Sequence, residues 1–285
     1  MKIAIASGKG GTGKTLISTN LARVALEKGR VCLFDLDVEE PNAHLFFQQI
    51  KQQSQAVEKM IPVVDDSICE LSGVCSKVCE YHAIITLANQ VMVFPELCHS
   101  CYGCLEMCPS HAISEGKKQI GQIKHGTKNG LQLVSGLLKV GESSTTALIR
   151  DVKKFPVQEC EWYIYDAPPG TSCPVIETVK DLDYVVLVGE PTPFGLHDLN
   201  LLVQVLQEMG QPFGVVVNKS VPGNERIEKY CAQKDIDILA HIPLRSDIAG
   251  AYAKGQLASE VLPDMHVLFT ELLETVKQKV DGTVS

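Results

Sequence analysis

A chain of 285 residues, 45% hydrophobic and 21% charged, has room for one large core or for a core with a small module. Its formal net charge of −8 argues against an unassisted nucleic-acid surface, which needs clustered Lys and Arg. No apolar run approaches the ~20 residues of a membrane helix, and the opening segment reads as a strand and not as a signal peptide, so a cytoplasmic protein away from the membrane is expected.

In chain order, residues 2–6 form a short apolar strand that runs into the glycine loop Gly8-Lys-Gly-Gly-Thr-Gly-Lys-Thr15. Helical periodicity over 14–28 stops at Gly29, and 31–35 is the next buried strand. From 61 to 118 long helical periods give way to Cys, Gly and Pro at short intervals. Beyond it, 162–166, 184–189, 213–218 and 236–242 are short runs rich in Val, Ile and Tyr, separated by helical stretches near 194–209, 223–234 and 264–280. Apolar strands alternating with helices imply a doubly wound α/β fold with a mostly parallel sheet covered on both faces. The expected organisation is a nucleotide-binding domain in two parts, 1–60 and 119–285, interrupted by a small α+β module at 61–118.

The loop has the composition of a phosphate cradle. Backbone N–H groups of Gly10, Gly11, Thr12 and Gly13 are expected to face phosphate oxygens, at the positive end of the helix beginning near Lys14. Lys14 is the residue to reach the β and γ phosphates of ATP, and the Thr15 hydroxyl the one to bind Mg2+. Lys9 adds a second lysine to the loop.

The chain has eleven cysteines, seven of them from Cys69 to Cys108, which in a cytoplasmic protein indicates metal and not disulfides. Cys98, Cys101, Cys104 and Cys108-Pro109 have the C-x2-C-x2-C-x3-C-P spacing of a bacterial ferredoxin, a tighter run than the separated C-x2-C hooks of zinc sites. The stretch repeats internally, since Cys75-Ser-Lys-Val-Cys79-Glu-Tyr-His-Ala-Ile84 matches Cys104-Leu-Glu-Met-Cys108-Pro-Ser-His-Ala-Ile113. A two-cluster ferredoxin shows such a repeat, with three cysteines of each run on one cluster and the fourth on the other. Applied here, that pattern gives Cys98, Cys101, Cys104 and Cys79 one 4Fe-4S cluster. Cys69, Cys75 and Cys108 form a second set whose missing cysteine is Ser72. A hydroxyl is a harder and less acidic ligand, so this second site is expected to hold a 3Fe-4S cluster or a 4Fe-4S cluster with one labile iron.

The loop with its two lysines resembles the deviant Walker A ATPases, a family that includes the division-site (MinD) and partition ATPases, the nitrogenase iron protein and the scaffold ATPases of iron–sulfur assembly. Further segments match in order. Leu33-Phe-Asp35-Leu-Asp37 resembles the second acidic motif, Tyr163-Ile-Tyr-Asp166-Ala-Pro-Pro-Gly170 the Walker B and switch segment, and Val215-Val-Val-Asn218-Lys219 the adenine-reading strand end. The resemblance implies an ATP-sandwich homodimer in which Lys9 crosses to the partner's nucleotide. It further implies that Asp37 positions the attacking water, that Asp166 acts on Mg2+ through water, and that Asn218 meets the base. Cys173 lies seven residues after Asp166, the offset of a cluster-binding cysteine in the nitrogenase iron protein; it is either a metal ligand shared across the dimer or a small residue opening a helix.

Over nearly its whole length the chain resembles the group with an inserted ferredoxin domain, similar to the Mrp and Nbp proteins. That resemblance implies an ATPase coupling dimer switching to electron delivery, or to metal or cluster transfer, toward a client metalloprotein. The alternative is a non-catalytic redox-sensing scaffold in which ATP only controls dimerisation. The tail 277–285 has little apolar face, unlike a membrane-docking end.

Overall fold

The computed structural model describes residues 1–283, so the last two residues of the 277–285 tail lie outside the described residues. Its strands are β1 (Lys2–Ala6), β2 (Val31–Asp35), β3 (Gln53–Val64), β4 (Ile84–Thr86), β5 (Val91–Val93), β6 (Ile113–Lys128), β7 (Leu131–Leu138), β8 (Trp162–Asp166), β9 (Tyr184–Gly189), β10 (Phe213–Ser220) and β11 (Ile238–Pro243). The chain divides into two compact units. The first comprises Met1–Ser54, Ile123–Leu137 and everything from Ile149 on; the second comprises Gln55–Gln122 and Leu138–Leu148. No described helix is long and apolar enough to cross a membrane.

In the first unit the strands lie in the order β11-β10-β9-β1-β8-β2-β7, and every pair with an assigned register is parallel. The 123–128 end of β6 lies beside β7. Asn129 and Gly130, both left-handed (φ 50° and 83°), join those two strands, and so short a connection requires them to be antiparallel. The central strands are buried on both faces, which explains their near-continuous apolar runs. Ile3, Ile5, Leu33, Ile164 and Val186 form one core with Ile17, Leu21 and Val24 of helix Lys14–Ala25 and Phe269, Leu272 and Val276 of helix Pro263–Thr283. This is the large, mostly parallel α/β sheet expected from the alternating pattern.

Strands β3 to β7 escape the sequence reading, and β6 and β7 show why. β7 carries Gln132, Ser135 and Gly136 among its apolar residues, and β6 is interrupted by Gly116, Lys117, Lys118, Gly121, Lys124 and Gly126. Neither shows a sustained apolar run or clean alternation in sequence, although 131–136 are buried, and β6 is exposed over much of its length. A boundary at 118 therefore falls inside a strand.

The second unit sets β3, from residue 55, beside β6, up to residue 122, with the antiparallel hairpin β4–β5 and the short helices Val74–Val78 and Gly103–Glu106. Its core is small: Cys75, Ile84, Cys104, Cys108, Ala112 and Ile113. The internal repeat is also a repeat of backbone shape at an interval of 29 residues. Leu71 and Ser100 (φ 52° and 55°), Gly73 and Tyr102 (72° and 64°), and His82 and His111 (51° and 52°) all adopt the left-handed conformation. Such geometry is uncommon outside glycine, so its recurrence at three matched pairs marks two copies of one loop design.

Candidate functional site

The glycine loop joins the C-terminal end of β1 to helix Lys14–Ala25, at the carboxyl edge of the parallel strands where α/β sheets place ligands. Two of its glycines are required by contact. A Cβ on Gly8 would stand 2.2 Å from the Asp198 carbonyl oxygen, and one on Gly13, which is also left-handed at φ 98°, would meet the Asn218 amide nitrogen at 2.2 Å. Gly10 and Gly11 have nothing within 4 Å of such a Cβ, which leaves the outer side of the loop open.

Lys14 is buried and its Nζ donates to Ser7 Oγ at 3.1 Å. Burial lowers its pKa, while Asp166 and Asp37 act in the opposite direction. Asp37 is half-buried; burial raises its carboxyl above the usual range, and Lys14 and the Glu40 N–H draw it back. Asp35 and Asp166 end adjacent strands in direct register, and both are fully buried. Their environments differ. Asp35 accepts backbone N–H bonds from Asn42 (2.8 Å), Ala43 (2.9 Å) and Asp37 (3.3 Å), so it orders the loop after β2.

Neither carboxylate oxygen of Asp166 receives a hydrogen bond from the protein. The Ser18 hydroxyl nearby donates instead to the Thr15 carbonyl, at 3.2 Å. Burial pushes Asp166 up to about 6, although Thr15, Lys14 and Ser18 favour its charge. The Thr12 hydroxyl is likewise buried without a partner. A buried, unpaired carboxylate is costly, and beside a phosphate loop it is the donor set a hydrated Mg2+ fits.

Lys9 Nζ lies 3.6 Å from Glu190 Oε2 of its own chain. Lys219 shares that carboxylate at 3.3 Å and donates to the Gly11 carbonyl at 2.9 Å. Asn218 is buried, and its amide nitrogen is committed to the Thr12 carbonyl at 2.6 Å, so in this structure it braces the loop. Ser7 and Glu190 are absent from the sequence reading: Ser7 stands just before the glycine loop, and Glu190 meets Lys9 and Lys219 through contacts that no local motif marks.

In the second unit the seven clustered cysteines divide between two cavities. Cys79, Cys98, Cys101 and Cys104 line one, with Met60, Pro62 and Tyr81. Cys69, Cys75 and Cys108 line the other, with Ser72 and Val64. Backbone N–H groups point at sulfur in both copies of the loop: Ala83 N to Cys79 Sγ at 3.2 Å and Ala112 N to Cys108 Sγ at 3.3 Å. Burial, reinforced by the neighbouring Cys98, Cys101 and Cys79, raises Cys104 to about 11. Burial also raises Cys108, but the Ala112 N–H and the Ser110 hydroxyl outweigh it and leave the thiol below its ordinary value.

Among the described residues no three His, Cys, Asp or Glu side chains are grouped as ligands of one metal ion. The sulfurs line cavities. Such a donor set suits a cluster, whose thiolates each bind a different iron, better than a single ion. Cys173 lies in the first unit, exposed at the first residue of helix Cys173–Val179. His82 and His111 are exposed.

Residues 3–258 match the family described as the CobQ/CobB/MinD/ParA nucleotide binding domain. The chain is 35% identical to an uncharacterized protein of Methanocaldococcus jannaschii, over 79% of this chain and 80% of that one. It is 23% identical to the iron-sulfur cluster carrier protein of the same organism, over 99% of this chain and 85% of that one. Among solved structures it resembles the septum site-determining protein MinD of Pyrococcus horikoshii in complex with Mg-ADP, with a TM-score of 0.56, 20% identity, and coverage of 96% of this chain and 94% of that one.

Proposed function

Because the chain belongs to the CobQ/CobB/MinD/ParA nucleotide-binding family, we propose that it is an ATP-hydrolysing iron–sulfur protein. Nucleotide-dependent dimer switching in it serves electron delivery, or metal or cluster transfer, to a client metalloprotein. The observation that carries this reading is the sorting of seven cysteines into two cavities within a chain that also has an intact phosphate loop. Similarity to a named iron–sulfur cluster carrier supports it.

At the nucleotide, the loop N–H groups and Lys14 bind and orient the phosphates, and Asn218 fixes the loop through Thr12. Mg2+, held by Thr15 and through water by Asp166, would supply charge neutralisation to the phosphates. Asp37 positions water for attack on the γ phosphate, giving ADP and phosphate. Lys9 leaves Glu190 and reaches the nucleotide of a second copy, so the active form is a homodimer.

In the second unit, read as an inserted ferredoxin-like domain, Cys79, Cys98, Cys101 and Cys104 hold one 4Fe-4S cluster. Cys69, Cys75 and Cys108 would hold a 3Fe-4S cluster, or a 4Fe-4S cluster with one labile iron where Ser72 replaces a cysteine. The bound clusters would supply one-electron redox capacity and exchangeable iron. The deciding experiment is iron and sulfide quantitation with low-temperature EPR on anaerobically reconstituted protein, together with ATPase rates in both redox states. Colourless protein, or eight irons in two ordinary cubanes, would overturn the cluster assignment. A rate indifferent to cluster state and to extract would favour the scaffold, in which ATP only sets the oligomeric state.

A further inference from the structure

The least expected group in the second unit is a buried ammonium. Lys59 on β3 has a side chain 5% exposed, and its partner Glu142 is 2% exposed. Lys59 Nζ donates to the backbone carbonyl of Cys98 at 3.0 Å, to Ser144 Oγ at 2.8 Å and to Glu142 Oε1 at 3.4 Å. Glu142 also accepts from the Ser144 hydroxyl at 2.7 Å and pairs with Lys118 at 2.9 Å. Lys59 has no part in the chemistry proposed above. Burying charges this deeply carries a desolvation penalty that pairing must repay, so the pair is a poor device for stability alone.

Its position is specific. Met60, the next residue, lines the Cys98 cavity, and Lys59 grips the main chain of one of that cavity's cysteines. The 29-residue repeat supplies an internal comparison, because the residue matching Lys59 in the other copy is Ala88, which is exposed. One cavity therefore has a cation on its cysteine backbone, and the repeat supplies no second lysine at the matching register, where Ala88 lies in the turn between β4 and β5.

We infer that the buried Lys59–Glu142 pair sets the reduction potential at the Cys79, Cys98, Cys101 and Cys104 site and makes it unequal to the Cys69 site. This rests on the cluster reading above. One electron arriving from a low-potential donor makes that site more negative by one charge, with no proton moved. An ammonium fixed nearby favours the added charge and a carboxylate opposes it, with little solvent to screen either.

The test uses the full chain, reconstituted anaerobically and titrated with dithionite under EPR, with iron content measured in each sample. Lys59→Met is expected to keep its iron and to shift the oxidised-to-reduced ratio at fixed potential about tenfold toward oxidised, equivalent to 59 mV for one electron. Glu142→Gln is expected to shift it in the opposite direction. Opposite signs from the two halves of one ion pair separate charge tuning from simple loosening, which would move both variants alike. Where Lys59→Met fails to hold iron, the sign of the Glu142→Gln shift decides. Wild-type protein without iron sinks the cluster reading itself. Iron-loaded variants that move together, or by less than twofold, overturn the inference and leave that reading standing.

Discussion

The two units solve the problem of cohesion differently. The first joins aliphatic residues from sheet and helices into one core, including Ile3, Ile5, Leu33, Ile164 and Phe269, each about 0–1% exposed. In the second, a buried cluster of six residues includes three cysteines. Burial of apolar surface suffices for the first, whereas a module with so little apolar interior needs a staple of another kind. The lesson is that the cysteines are both the proposed chemistry and the missing interior.

The largest expected effect tests whether the units' tasks are separable. Lys14→Ala should lower ATP turnover at least about a hundredfold while leaving bound iron unchanged, because it removes the cation at the phosphates in the first unit only. Turnover and iron counts on the same preparation check this, and loss of both would mean that the two sites are not independent.

Cohesion itself can be probed next. Phe269→Ala should destabilise the first unit by about 3–5 kcal/mol. Removing iron should instead expose the second unit, speeding proteolysis within residues 55–122 at least tenfold. Trp162 fluorescence, from the chain's single tryptophan, follows the first unit alone, and mapped cleavage sites follow the second. Stripped protein as resistant as loaded protein would remove the contrast.

A smaller effect concerns Asp166. Its folded pKa of about 6 lies above the ordinary 3.8, so without nucleotide its contribution to stability is fully present below 3.8 and is lost as pH rises through about 6. Asp166→Asn should therefore be more stable than wild type at pH 8, by about 3 kcal/mol at ~1.4 kcal/mol per pKa unit, with the gap closing toward pH 4. Denaturant titrations of metal-free protein give this gap directly. Smallest of all, Ser72→Cys should add about one tightly held iron per chain and convert any three-iron EPR signal to that of a cubane.

Much of the first unit was legible because its determinants are local. The loop, the apolar strand runs and the two strand-end aspartates are contiguous motifs, and β1, β2, β8 and β9 begin and end where those runs do. The chain was harder to read where partners are far apart. Lys59 and Glu142 are separated by 83 residues, and Lys9 meets Glu190 across most of the fold. β6 hid behind its lysines and glycines because an exposed strand carries no hydrophobic signature. The duplication was visible as letters, but its left-handed backbone at Ser100, Tyr102, His82 and His111 was not, since these residues do not advertise that geometry as glycine does.

Two copies of one loop within a single chain give each position a twin that shares its surroundings in time and solvent. Ser72 and Cys101 are such twins, both exposed. Divergence between siblings can proceed in one half while the other conserves the ancestral task. Asymmetry here is thus inherited in the primary sequence, and exchanging the side chains of a twin pair would reverse it without altering overall composition.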